Sequence, residues 1–415
     1  METIFISIAS YRDPELLPTL RDLLATAKNP DRLRIGVCWQ YGEDESIEEF
    51  ENDSRFHFIK VPYQQAKGAC WARSLLQDLY NGETYYLQLD SHHRFTKHWD
   101  TTLIKMLKNL KKEGHKKPLL TAYLPGYFPN NDPAGRQDDC WSLEFDRYMP
   151  EGPIFIKPHS IPDWKSLTGP IPSRFLSGHF IFTLGKWCNE VKYDPYYYFH
   201  GEEPSLAARS FTYGYDLFHP HKPIMWHEYT RSGKVKQWDD DSEWSKRNSI
   251  SYSRYRALHG MGSIMEGSTT DLEKYGFGKV RTLEEYEHYI GVKFSTRQVH
   301  KHTVEYKPLP VPQDKFEDNL LNKLKICIDV WKGALTESDY TSFAVAVLNE
   351  DGTDAYRQDM DIQEYQGLLN QDPNDQFIHI WREYNDNKQP KSWRVWPYST
   401  SKGWLERIEQ NIKYE

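Results

Sequence analysis

The sequence predicts an α/β protein, a mostly parallel sheet with helices on its faces, followed by a smaller β-rich unit. Between Ile4 and Leu124, short apolar runs alternate with segments of helical spacing, the pattern of repeated βα units. The composition shifts after His302, where Pro308 to Pro312 form a proline-rich connector of the kind that separates domains. Beyond it, β-type runs are divided by turn residues. The expected boundaries are a first domain over residues 1–305, a linker over 306–322 and a β-rich accessory domain over 323–415.

Each element has a local reason. Ile4 to Ile8 is a buried-type strand that ends in the polar turn Ser10-Tyr11-Arg12-Asp13-Pro14. From Glu15 to Ala27, Leu16, Leu17, Leu20, Leu23 and Leu24 have helical spacing, and Asn29-Pro30 closes the segment. Leu33 to Trp39 and Phe56 to Val61 read as strands, with an acidic short helix or loop over Glu43 to Glu51 between them. Ala66 to Tyr80 reads as a helix with a stripe of Ala69, Ala72, Leu75, Leu76 and Leu79. Thr84 to Phe95, TYYLQLDSHHRF, reads as a strand running into an acid and two histidines. A basic amphipathic helix over Trp99 to Lys112 and a strand over Pro118 to Leu124 follow.

From Pro125 to Pro172 the pattern loosens into a long, aromatic and proline-containing loop, of a length that is usually functional or mobile. Regular structure resumes at Phe175 to Leu184, with a helix over Glu203 to Phe211. Short strands over Tyr215 to His219 and Pro223 to His227 come next. A charged helix over Asp239 to Leu258 and a small helical unit over Gly276 to Gly291 complete the domain. In the tail, Lys325 to Trp331, Thr341 to Leu348, Phe377 to Trp381 and Ser392 to Trp396 are the expected strands of a small β-sandwich. Asn349-Glu350-Asp351-Gly352 supplies a hairpin turn.

The totals narrow the function. A formal charge of −8 and a pI near 6.1 argue against nucleic acid as the partner. No run approaches the roughly 20 apolar residues of a membrane-spanning helix, and the N-terminus lacks a signal-peptide pattern. Five scattered cysteines without a C-x-x-C point to neither a disulfide framework nor a zinc knuckle, so a reducing, cytoplasmic setting is expected.

Chemistry concentrates where the strand at Thr84 to Phe95 ends. Residues two apart on a strand share a side, so Asp90 and His92 can offer one carboxylate oxygen and one imidazole nitrogen to a divalent metal. The ordinary reading is a strand that stops at a polar loop, but ends of strands in α/β sheets are where ligands bind. A third ligand is needed. His227 closes a strand, yet from the residue alone a satisfied core histidine is favoured; His93, His98, His200, His219 and His221 are rivals. Glu202 and Glu203 open a helix, either complementing its dipole or meeting sugar hydroxyls, and the residues do not choose between them. Lys67 and Arg73 could reach a phosphate, with solvated charge as the default reading.

Taken together, FISIASYRDPEL, AKGACWAR, YYLQLDSHHRF, FLSGHFIFTLG, YDPYYYFHGEEPSLAARSFTYGYDLFHP and IMWHEYTR resemble a known family. It comprises the polypeptide N-acetylglucosaminyltransferases that modify a hydroxyproline of a ubiquitin-ligase adaptor in the cytoplasm of some protists, with many bacterial members of unassigned acceptor. The resemblance covers Met1 to His302 and excludes the tail. It implies a GT-A fold, a UDP-sugar donor such as UDP-GlcNAc, retention of anomeric configuration, and a divalent metal, usually manganese with magnesium as the alternative. Asp90, His92 and His227 match its metal ligands, which reverses the reading of His227 from the residue alone. Ser10, Tyr11 and Arg12 match its uridine end, and Arg73 a diphosphate or uridine contact. Ser91, between the two ligands, is grouped with the donor-binding residues. Ser177, Gly178 and His179, with Glu202, match positions around the donor sugar, and Glu203 stays beside Glu202 as a candidate catalytic acid. His179 and the pair Glu203-Pro204 depart from the family's usual residues.

The resulting expectation is a metal-dependent transferase moving GlcNAc from UDP to a hydroxyl of a protein or glycan. One alternative is another UDP-hexose transferase that builds a capsular or surface polysaccharide. A second is a non-catalytic carbohydrate-binding or scaffold protein. A homodimer is left open. In the tail, Trp331, Trp381, Trp393 and Trp396 could face a glycan or fill a core, and core filling is the preferred reading.

Overall fold

A computed structural model of the chain describes residues 2–230, 233–262, 264–371, 375–386 and 389–412. They form two compact units. The first comprises Met1–Asp146, Pro153–Ile290 and Tyr306–Val311, the second Arg147–Gly152, Gly291–Glu305 and Pro312–Glu415.

Among the described residues, the strands up to Ile290 are β1 (Ile4–Tyr11), β2 (Leu33–Tyr41), β3 (Phe56–Pro62), β4 (Tyr85–Asp90), β5 (His93–Phe95), β6 (Pro118–Thr121), β7 (Trp141–Tyr148), β8 (Ile154–Ser160), β9 (Ile171–Pro172), β10 (Phe180–Leu184), β11 (Asp216–His219) and β12 (Met225–His227), all in the first unit but for the last two residues of β7. Its principal helices are α1 (Leu16–Thr26), α2 (Ala69–Gln77), α3 (Trp99–Lys112), α4 (Glu202–Thr212), α5 (Gln237–Asp240), α6 (Trp244–Leu258) and α7 (Leu283–Ile290). Eight strands form one sheet in the order β3-β2-β1-β4-β10-β6-β11-β9. The first four run parallel, and β10 enters antiparallel between β4 and β6. Both faces are covered, as parallel strands require. Ile4, Ile6 and Ile8 of β1 share a core with Leu16, Leu20 and Leu23 of α1 and with Trp99, Leu103 and Leu107 of α3. On the opposite face, Cys38 and Val61 pack with Ala72 and Leu76 of α2. The chain leaves β1 toward β2 on one side and returns to β4 on the other. The carboxyl ends of β1 and β4 therefore form the switch point at which such sheets hold ligands.

The α/β architecture and the β-rich second unit agree with the sequence reading, and four details correct it. Thr84 to Phe95 is two strands, because β4 ends at Asp90 and β5 pairs with β12 in a separate small sheet. Asp90 and His92 are thus brought together by a turn and not by strand alternation. The loop from Pro125 to Pro172 contains the two-stranded sheet of β7 and β8. Trp141 to Asp146 alternates apolar and polar residues, although Ser142, Leu143, Glu144 and Phe145 are all buried, Glu144 against Arg174. The helix expected from Ala66 starts at Ala69. The helix expected over Asp239 to Leu258 is broken at Asp241, whose backbone is extended and whose carboxylate accepts the Glu243 N–H.

In the second unit the strands are β13 (Val292–Lys293), β14 (Gln298–His300), β15 (Leu320–Trp331), β16 (Tyr340–Leu348), β17 (Asp354–Arg357), β18 (Met360–Asp361), β19 (Phe377–Asp386), β20 (Ser392–Ser399), β21 (Gly403–Trp404) and β22 (Ile408–Asn411). One sheet has the order β13-β14-β15-β19, and the other is built on β16 and β20. Ile326, Ile328 and Val330 from the first sheet meet Phe343, Val345, Trp393 and Val395 from the second, the interior of a sandwich. A helix unforeseen in the sequence, α8 (Ile362–Gln371), packs on this core.

Candidate active site at the switch point

At the end of β4 the Asp90 carboxylate divides its two oxygens. Oδ1 accepts a hydrogen bond from Arg73 Nη2 at 2.6 Å. Oδ2 faces His92 Nε2 at 3.8 Å and His227 Nε2 at 3.6 Å. Asp90, His92 and His227 offer ligand atoms that all lie within 4.8 Å of one another. Metal–ligand bonds of roughly 2.0–2.2 Å set neighbouring donors about 3–3.5 Å apart, so a small closing movement would fit one ion among these three. One carboxylate and two imidazoles also suit a divalent first-row metal in chemistry. Burial opposes the charge of Asp90. Arg73, His227 and His92 outweigh it and hold the carboxyl well below the usual carboxylate range.

The histidines are oriented from behind. His92 Nδ1 lies 2.6 Å from Asp13 Oδ2, which also accepts the Ser91 hydroxyl at 2.6 Å. With the Nδ1 proton donated to Asp13, Nε2 turns its lone pair toward Asp90 and His227. Asp13 Oδ1 accepts the Glu15 N–H at 3.0 Å, which ties the carboxylate to the start of α1. His227 comes from β12, held to β5 in the register His227↔His93. The His179 ring stacks on it with centroids 4.2 Å apart, and Tyr123 stacks on His179 at 5.3 Å. Tyr229 meets His227 edge-on at 4.4 Å. His179 Nε2 accepts the Leu124 N–H, and Nδ1 lies 3.1 Å from Ser177 Oγ. Burial, reinforced by His227, pushes the titration of His179 and His93 well below the ordinary histidine value, so both rings stay neutral. His93 lies beside the group, its Nδ1 directed at the Asp90 carbonyl.

Arg73 is buried and spans two acids, Asp90 through Nη2 and Glu202 through Nη1 at 2.5 Å. Glu202 Oε1 also accepts the Tyr193 hydroxyl at 2.5 Å, and Gln88 Nε2 donates to that hydroxyl at 2.8 Å. Glu203 turns the other way. Its Oε1 accepts the Gly178 N–H at 2.7 Å and its Oε2 the Tyr123 hydroxyl at 2.7 Å. Burial raises the Glu203 carboxyl to about 7 against these two donors. Gly178 leaves room for the Arg73–Glu202 pair, since a Cβ there would stand 3.0 Å from Arg73 Nη1 and 3.2 Å from Glu202 Oε1. The Ser177 N–H is held by Thr121 Oγ1.

At the end of β1, Ser10 is buried and its carbonyl accepts Gln40 Nε2. The Tyr11 hydroxyl and Arg12 Nη1 both donate to Asp240 Oδ2 of α5 at 2.7 Å, and the Arg12 guanidinium rests 4.5 Å from the centroid of the Tyr63 ring. Lys67 is exposed. Of the rival histidines, His219 is a satisfied core residue: Nδ1 donates to the Thr121 carbonyl and Nε2 accepts the Leu143 N–H. Sequence reasoning passed over Asp13, which looks like a turn residue before Pro14, and over Tyr123, Tyr193 and Gln88, which carry no local signal. A second group of donor atoms, Cys327, Asp329 and His379, lies in the other unit on β15 and β19.

No helix among the described residues is long and apolar enough to cross a membrane. No curated protein matches the sequence. Among solved structures, the chain resembles GalNAc-T7 with UDP, GalNAc and Mn2+ at 13% identity, with a TM-score of 0.46 over 69% of this chain and 50% of that one. It thus spans half the length of that structure. It resembles S. aureus TarS 1-349 in complex with UDP-GlcNAc at 12% identity, with a TM-score of 0.39 over 66% of this chain and 71% of that one. A family model described as Glycosyltransferase (GlcNAc) matches residues 3–54 and 44–296, the part that carries every residue of the site. The chain belongs to this glycosyltransferase family.

Proposed function

We propose that the first unit transfers GlcNAc from UDP-GlcNAc to a hydroxyl of a protein or glycan, with retention of configuration. The observation that carries the reading is the convergence of Asp90 Oδ2, His92 Nε2 and His227 Nε2 at the switch point, inside the region matched by the family. These three would hold a divalent cation, manganese or magnesium, whose Lewis acidity would offset charge on a departing diphosphate.

The other residues hold and orient. Asp13 sets the His92 tautomer and His179 fixes the plane of the His227 ring. Arg73 aligns Asp90 with Glu202, so that the ligand and the acid at the head of α4 form one rigid unit. Ser10, Tyr11 and Arg12 are assigned to the uridine end, Ser91 to the donor beside the ligands, and Ser177 and Gly178 to the sugar side. Glu202 and Glu203 both accept from protein donors, which supports transfer without a carboxylate nucleophile. In that route the acceptor oxygen bonds to the anomeric carbon as the carbon–phosphate oxygen bond breaks. The acceptor's proton passes to the departing phosphate oxygen. A cytoplasmic site of action fits this donor.

The test is UDP release from UDP-GlcNAc, UDP-GalNAc and UDP-glucose with Mn2+, followed by mass spectrometry of acceptors labelled in lysate. Release with UDP-GlcNAc above the others supports the reading. Preference for another donor overturns the sugar, and release with none overturns the enzyme in favour of a binding protein.

A further inference from the structure

The second unit carries a sheet face that the first unit's chemistry does not use. Along β15 and β19 residues alternate between the sandwich interior and the outside. Ile326, Ile328, Val330, Ile378 and Ile380 point inward and are buried. The outward residues include large aromatics: Trp331 is 55% exposed, Trp381 52% and Phe377 41%. The antiparallel register pairs Trp331 with Phe377, Asp329 with His379, and Cys327 with Trp381. The face therefore reads as an aromatic pair, a polar pair, then a second aromatic. Trp381 is four residues from Phe377, about 14 Å at ~3.4 Å per residue.

Two features show that this face is organised. The Trp331 indole lies against Gly333, where a Cβ would stand 2.4–2.7 Å from three of its ring atoms. Only glycine lets the ring settle on the backbone there, and the residue remains more than half exposed. Between the aromatics, His379 Nδ1 lies 2.7 Å from Asp329 Oδ1, its Nε2 lies 2.9 Å from Asp375 Oδ2, and Cys327 Sγ donates to Asp329 Oδ1 at 3.0 Å.

We propose that Trp331, Phe377 and Trp381, with Asp329 and His379 between them, form a binding platform for a linear oligosaccharide of β-linked pyranoses. A pyranose presents an apolar C–H face that stacks on a flat aromatic ring, and a rim of hydroxyls that hydrogen-bonds to carboxylates such as Asp329 and Asp375, which His379 holds in place through its two ring nitrogens. The alternation of aromatic and polar groups along the strands matches both needs over the reach of a short chain. A dry apolar interface fits less well, because it would take the carboxylates of Asp329 and Asp375 out of water. Membership of a glycosyltransferase family gives the platform a natural occupant, the acceptor or product glycan. The inference is independent of which sugar the first unit transfers.

The test uses the full chain, with hexamers of β-1,4-linked GlcNAc and of β-1,4-linked glucose as probes, followed by tryptophan fluorescence and calorimetry. Binding of at least one hexamer is expected, and W331A and W381A should each weaken it about tenfold. G333A, which displaces the indole without removing an aromatic, should weaken it as well. UDP release by donor hydrolysis, measured with no glycan present, should match wild type in all three variants, so failure here is distinguishable from failure of the transferase reading. Absence of binding to both hexamers overturns the platform, as does wild-type binding by W331A and W381A. A wild-type dimer that these substitutions dissociate also overturns it, since the face would then belong to a second copy.

Discussion

Asp13→Asn tests whether the histidine at the metal group is set from behind. Asp13 is buried, and both oxygens of its carboxylate are engaged. Oδ2 receives His92 Nδ1 and Ser91 Oγ, both at 2.6 Å, while Oδ1 receives the Glu15 N–H at 3.0 Å and faces Lys234 Nζ at 3.8 Å. Asparagine has the same shape but a single acceptor oxygen. That oxygen stays with the Glu15 N–H and Lys234, so the amide NH2 replaces Oδ2. His92 Nδ1 must then accept, and its proton moves to Nε2, the nitrogen facing Asp90 and His227. Loss of such a backing carboxylate costs roughly 10–100-fold in metal affinity, about 1.4–2.7 kcal/mol. The assay is UDP release against Mn2+ concentration, with a thermal melt to show that the fold survives. The half-saturating metal concentration should rise 10–100-fold, and excess metal should restore most of the turnover. A D13N protein with wild-type metal dependence would refute the reasoning.

Two further perturbations probe the same cluster. Arg73→Ala leaves Asp90 and Glu202 without their shared cation, and breaking a buried pair costs about 3–5 kcal/mol; denaturant titration should show that loss, and a change under about 1 kcal/mol would remove Arg73 from its bridging role. Glu203→Gln tests the raised carboxyl: folded Glu203 protonates near 7 against an ordinary value of 4.5, so its contribution to stability is full below 4.5 and lost as pH rises through 7. The stability of wild type minus that of E203Q should fall between those values in melts across pH 4.5–8.5, and a flat difference would contradict it.

Much of the frame was legible because burial left simple marks. The largely apolar runs of β1 and β4 and the leucine stripes of α1 and α3 report their own surroundings. Asp90 and His92 were visible as the abrupt polar end of such a run. Features that depend on distant partners were not visible. Arg73 reads as a solvated charge, yet it is buried, because the acids that neutralise it lie 17 and 129 residues away. Asp13 reads as a turn former before Pro14 and gives no sign of His92. His227 stood out as the best third ligand by its place at a strand end, yet the residue alone favoured a core histidine, and the family motif reversed that reading. The tail divides within itself: Trp393 fills the core as preferred, whereas Trp331 and Trp381 face outward, a choice made by strand register that aromatic content alone does not reveal.

The most direct measurement is UDP release from UDP-GlcNAc under chelation and under Mn2+ titration, for wild type and His227→Ala. Wild type should be silent in chelator and recover with Mn2+, while H227A stays silent at every metal concentration and melts as wild type. Turnover near normal in chelator, or in H227A, would contradict a metal-dependent centre at Asp90, His92 and His227.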